Sequence, residues 1–117
     1  MRQALETRRA LLGPDHPDVA VSLLVLGALE RQRHDLSGAE AQYREAVAIR
    51  VKRLGADNPQ TAIARVGLGE VLLDRHEPAE AEPLLRSAQS VLRKSFPPTH
   101  PDLVRADRAL ARASAER

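Results

Sequence analysis

The chain has 117 residues, 43% apolar and 29% charged, which is enough for one compact domain and too apolar for intrinsic disorder. It contains no cysteine, excluding disulfides, thiol nucleophiles and Cys-based zinc sites, and no apolar run near the ~18 residues of a membrane span. The pI of about 9.7 hides a net charge of only +2, with 16 Arg, 2 Lys and 16 acidic residues, and Tyr43 and Phe96 are the only aromatics, so the surface is mixed in charge and lacks the stacking platforms of nucleic-acid binders.

The N-terminal segment MRQALETRRALLG carries charges where a secretory leader needs an apolar core. Residues 1–12 read as a helix, followed by the loop Gly13-Pro14-Asp15-His16-Pro17-Asp18. The next helix carries Val19, Leu23, Leu26 and the polar Glu30 at helical spacing and breaks at His34-Asp35-Leu36-Ser37. Another runs from about Ser37 to Leu54, with Ala39, Tyr43, Ala46 and Leu54 on one stripe. The loop Gly55-Ala56-Asp57-Asn58-Pro59-Gln60 then leads into a helix over about Pro59 to Arg75. After the break His76-Glu77-Pro78, a fifth helix spans about Ala79 to Ser95, with Ala81, Leu85, Ala88 and Leu92 on its stripe. The loop Pro97-Pro98-Thr99-His100-Pro101-Asp102 opens the last helix, to about residue 115.

The three loops are copies of one another. Pro17, Pro59 and Pro101 are spaced by 42, as are Leu12, Leu54 and Phe96 before the loops and His34 and His76 in the breaks. Each of these prolines suits the first position of a helix, and His16, Asn58 and His100 before them suit the N-cap. Gly13 and Gly55 suit a left-handed residue closing the preceding helix. The chain therefore divides into residues 1–12 (the second helix of a truncated unit), the units 13–54 and 55–96, and 97–117 as a C-terminal capping helix. The expected fold is an all-α array of about six antiparallel helices.

Residues 22–59, SLLVLGALERQRHDLSGAEAQYREAVAIRVKRLGADNP, resemble tetratricopeptide repeats, in particular the 42-residue variety of kinesin light chains and many bacterial signalling proteins. Leu26-Gly27 and Leu68-Gly69 match the leucine and small residue of the first helix of a unit. Ala39, Tyr43, Ala46 and Ala81, Leu85, Ala88 match the pattern of the second. The resemblance implies a solenoid of helical hairpins wound into a right-handed superhelix, with a concave groove lined by the first helix of each unit. Gly27 and Gly69 are costly within helices, and a close approach of the partner helix backbone is expected there. Where kinesin light chains hold target peptides with paired asparagines, this sequence has Leu24-Val25 and Val66-Gly67, so a clamp of that type is not expected.

Little else in the sequence suggests chemistry. His16 and His100 share a loop position with Asn58, which fits a cap better than a ligand, and His34 and His76 are a whole repeat apart, stacked rather than convergent. The acid pairs Glu80-Glu82 and Glu40-Glu45 lie beside arginines on polar faces, and there is no phosphate loop or HExxH motif. No enzymatic activity, metal or cofactor is expected. Counting outward from Leu26, Leu68 and Leu110, the exposed groove row comprises Leu24, Ala28 and Arg31, then Val66, Glu70 and Leu73, then Arg105, Arg108 and Arg112. The last three share one helix face and suit an acidic segment.

The expected function is a cytoplasmic scaffold or adaptor that binds a protein or peptide segment, with no nucleic-acid or membrane partner. Leu5, Leu11 and Leu12 are expected on an uncovered apolar face. That favours the C-terminal part of a larger bacterial signalling protein, or, alternatively, self-association through the N-terminal helix into a homo-oligomer.

Overall fold

A computed structural model describes residues 2–116. It contains α1 (Arg2–Leu12), α2 (Pro17–Gln32), α3 (Leu36–Leu54), α4 (Pro59–Asp74), α5 (Pro78–Ser95) and α6 (Pro101–Ala115), and no strand among the described residues. Each helix packs on its neighbour in sequence, and α4 also touches α2 and α6. The first helices of successive units thus form one layer, in a body of 42 × 31 × 22 Å.

The turn chemistry sets the helix ends. His16 Nδ1, Asn58 Oδ1 and His100 Nδ1 accept from the backbone N–H of Asp18, Gln60 and Asp102 at 3.1, 2.8 and 3.2 Å, with proline following each cap. Asp35 caps α3 through Gly38 N–H at 3.1 Å, which starts that helix at Leu36 rather than Ser37. Gly13 and Gly55 have φ of +93° and +90°. Gly55 has ψ of 163°, a mirror-extended conformation rather than the expected left-handed helical one, and open essentially to glycine alone.

The breaks inside each unit hold a less legible feature. The His34 N–H bonds to the Arg31 carbonyl at 3.0 Å and that of Asp35 to Glu30 at 2.8 Å; His76 and Glu77 repeat the pattern on Leu73 and Leu72 at 3.0 and 2.9 Å. These are paired Schellman closures, which put His34 and His76 at φ +61° where glycine is usual. Each of His34→Gly and His76→Gly is therefore expected to raise stability by about 1 kcal/mol. Chemical denaturation at constant m-value checks this, and destabilisation by both would refute it.

Two apolar clusters hold the layers. Leu5, Val19, Ala20, Leu23, Leu26, Ala46 and Ile49 join α1, α2 and α3. A larger one centres on α4, where Val66, Leu68, Val71, Leu72 and Leu73 meet Tyr43, Leu85, Leu92, Leu103 and the alanines of α5 and α6. Leu5 departs from the expected exposed face: it is only 3% exposed, because α1 lays it against α2, whereas Leu11 and Leu12 are 78% and 43% exposed.

The helix glycines make room for side chains rather than for a backbone. A β carbon at Gly27 would lie 2.9 Å from the Tyr43 ring, and one at Gly69 would lie 2.6 Å from Leu85. Gly67 crowds the other edge of the same ring more closely still. Tyr43 is thus clasped between α2 and α4 by two glycines.

Candidate partner-binding groove

A groove of about 890 Å³ runs along the α2, α4 and α6 layer. Its central stripe is Ile63, Gly67, Glu70 and Asp74, at i, i+4, i+7 and i+11 of one helix face. Leu24, Val25, Ala28 and Leu29 of α2 form an apolar wall, Tyr43 and Leu36 of α3 lie below, and Arg105 and Arg112 of α6 close the opposite side.

The floor is an ion-pair lattice anchored on α4. Asp74 accepts from Arg31 Nε at 2.5 Å and Nη2 at 3.2 Å, and from Arg112 Nη1 at 2.8 Å. Glu70 pairs with Arg105 and lies 3.7 Å from Arg31 Nη1. Glu116 accepts from Arg112 Nε at 3.1 Å, and Asp102 lies 3.5 Å from Arg105 Nη1. Two carboxylates one turn apart on α4 therefore bind α2 to α6. Burial opposes ionisation of Asp74, but hydrogen bonds from Arg31 and Arg112 outweigh it and hold the carboxyl below its ordinary value. The Asp74 hydrogen bond raises the Arg31 pKa against desolvation. Desolvation pushes the Tyr43 hydroxyl up, with Arg105 opposing.

The nine expected row residues separate accordingly. Leu24, Ala28, Arg31, Glu70, Arg105 and Arg112 line the groove. Arg108 is exposed and lines an adjoining recess of about 200 Å³. Val66 and Leu73, expected on the exposed row, are wholly buried. The reason is crowding: α4 is flanked by α2, α3, α5 and α6, so its groove-lining face narrows and turns by one residue, with the buried Gly67 and the partly exposed Asp74 bordering the groove in place of Val66 and Leu73. Asp74 was missed. Its signal was the i, i+4 spacing from Glu70 and the position of both acids one repeat from Ala28 and Gln32, with Arg31 alongside. The expected cluster of open arginines is likewise altered, since Arg105 and Arg112 already hold carboxylates of the chain itself.

The remaining chemical candidates have local partners. Glu40 bridges Arg44 and Arg75 at 2.8 and 3.1 Å, Glu80 meets Arg44 at 2.6 Å, Glu82 meets Arg86 at 2.6 Å and Glu45 meets Arg9 at 2.5 Å. Among the described residues no group of three metal-capable side chains converges, and no helix is long and apolar enough to cross a membrane.

The family described as Tetratricopeptide repeat matches residues 1–52 and 39–94. No curated protein matches. A crystal structure described as kinesin light chain nearly identical TPR-like repeats, from Podosopora anserina, superposes with a TM-score of 0.76 at 22% identity. The match covers 98% of this chain and 55% of that one, so this chain spans about half the length of the structure it resembles.

Proposed function

Since the chain belongs to the tetratricopeptide repeat family, whose repeats generally mediate protein–protein interaction, we propose that it is a non-catalytic cytoplasmic adaptor that holds a segment of a protein partner in the α2–α4–α6 groove. The observation that carries this reading is the groove itself, an 890 Å³ channel with an apolar wall beside a charged floor. Val25 is 46% exposed on that wall, an apolar surface that gains by being covered. Because Glu70 and Asp74, with Asp102 and Glu116, already pair with Arg31, Arg105 and Arg112, the contacts proposed are apolar first. Arg108 has no carboxylate partner among the described residues and is the arginine that would meet an acidic group of the partner.

A photo-crosslinking residue at Val25 is expected to trap one discrete protein in the producing cell. The adduct should disappear when Ala28→Arg blocks the wall. The same residue at Ser90, exposed on α5, should not trap it. Indistinguishable adducts from Val25 and Ser90, or none from Val25, would overturn the groove reading.

A second reading, self-association, draws on the exposure of Leu11 and Leu12, 78% and 43%. Sedimentation equilibrium separates the two: a concentration-dependent dimer abolished by Leu11→Glu supports self-association, and a monomer at all concentrations excludes it.

A further inference from the structure

Arg50 is a buried charge that the groove does not use. It lies on α3, is 8% exposed, and its Nη1 donates to the Gln60 carbonyl at 2.7 Å. Among the described residues no carboxylate pairs with it. Burial lowers its pKa.

The repeat supplies an internal comparison. One repeat earlier, Arg8 reaches the Asp18 carbonyl at 3.5 Å and also donates to the Ser22 hydroxyl at 2.5 Å. The position equivalent to Ser22 is Ala64, fully buried and without an acceptor. One repeat later the arginine is replaced by Leu92, fully buried in the apolar core. The three copies therefore hold an arginine with two acceptors, an arginine with one, and no charge at all. A guanidinium has five N–H donors; one of Arg50's goes to the Gln60 carbonyl, and its other nitrogens are not buried without a partner, so they stay open to solvent.

Those donors border a cleft of about 250 Å³ between α2, α3 and α4. Arg53 and Gln60 line it, and Val21 and Leu54, 47% and 43% exposed, form an apolar rim. Asp18 is the one acid lining it, which leaves one net positive charge against Arg50 and Arg53. The first turns of α2 and α4 and the last turn of α3 also border it, so helix-dipole ends of both signs meet there and the side chains set its net charge. The volume is below the roughly 300–1,000 Å³ of small-molecule pockets and suits one side chain. A single net charge favours a monoanion over a phosphate dianion.

We propose that this cleft is a docking point for a carboxylate of a protein partner, an acidic side chain or a chain terminus, with an apolar residue beside it on Val21 and Leu54. It shares no lining residue with the groove, so the two readings stand or fall separately.

The test is an NMR titration of the full chain, following the Arg50 Nε–H and the Val21 and Leu54 methyl groups. The probes are N-acetyl-valyl-glutamate amide, N-acetyl-valyl-leucine with a free carboxylate, and the neutral N-acetyl-valyl-glutamine amide. Saturable shifts are expected with at least one acid, with binding roughly tenfold weaker or more for the neutral peptide; the acid that saturates identifies the source. Ala64→Ser offers Arg50 the acceptor that Ser22 gives Arg8 and should weaken acid binding several-fold in a folded chain. Arg50→Leu, the solution at Leu92, should abolish it. Equal response to the glutamine peptide, acid binding unaffected by Ala64→Ser, or no saturation by any peptide overturns the proposal, whether or not Arg50→Leu folds.

Discussion

Truncating Tyr43 to alanine is expected to cost about 3–5 kcal/mol of folding free energy, the range for a large buried aromatic. The ring is 6% exposed and lies between Gly27 of α2 and Gly67 of α4, so its loss opens a cavity where two repeat units meet. The glycines make the sharper test. In a helix interior Gly→Ala gains about 1 kcal/mol. At Gly67 the added methyl would run into the Tyr43 ring, and such overpacking costs about 1–3 kcal/mol. Gly67→Ala should therefore destabilise or leave unchanged the wild-type chain yet stabilise the Tyr43→Ala variant. A double-mutant cycle by urea unfolding reads this change of sign. If Gly67→Ala stabilises both backgrounds equally, the clasp is unimportant to the fold. Tyr43→Phe should stay within about 1 kcal/mol, since only the hydroxyl is lost.

Replacement of Asp74 by asparagine comes second in size, at about 1–2 kcal/mol near neutral pH. Charged hydrogen bonds contribute about 1.5–3 kcal/mol, and partial exposure of the carboxylate, 21% of its side chain, screens part of that. The pH dependence follows from the direction of the shift. The folded pKa lies below the ordinary 3.8, so this stabilisation is complete above that value and is lost as pH falls through the lower folded one. Wild type and Asp74→Asn should therefore differ at pH 7 and converge in acid below pH ~4. High salt should also narrow the difference. An undiminished gap at low pH would show that shape, not charge, accounts for the effect of Asp74.

The repeat was legible because its punctuation is local. Proline at the first helical position and His or Asn at the cap act within a few residues, so Pro17, Pro59 and Pro101 gave the helix starts. The glycine turns were legible for the same reason. His34 and His76 marked the breaks, but their left-handed backbone was hidden because histidine is not the residue usually found there. The groove stripe depends on a longer-range fact. A helical pattern read on α4 alone offers Leu73 to solvent as readily as Asp74, and only the helices on either side decide which is covered. The same limit made Arg105 and Arg112 look open, since their partners Glu70 and Asp74 lie on another helix. Arg8, Arg50 and Leu92 stood at a visible spacing, but the missing acceptor at Ala64 mattered only once Arg50 was known to be buried.

The last helix is held differently from the others. It buries Leu103 with three alanines, Ala106, Ala109 and Ala113, and its remaining ties to α4 are the pairs of Arg105 and Arg112 with Glu70 and Asp74. Methyl groups grip weakly and slide easily, whereas the aromatic clasp at Tyr43 fixes α2 against α4. One side of the groove is therefore held by an aromatic clasp, and the other by small apolar contacts and ion pairs. Raising ionic strength or acidity should therefore loosen the α6 side of the groove before the α2 side, a difference that amide hydrogen exchange of the two helices would read.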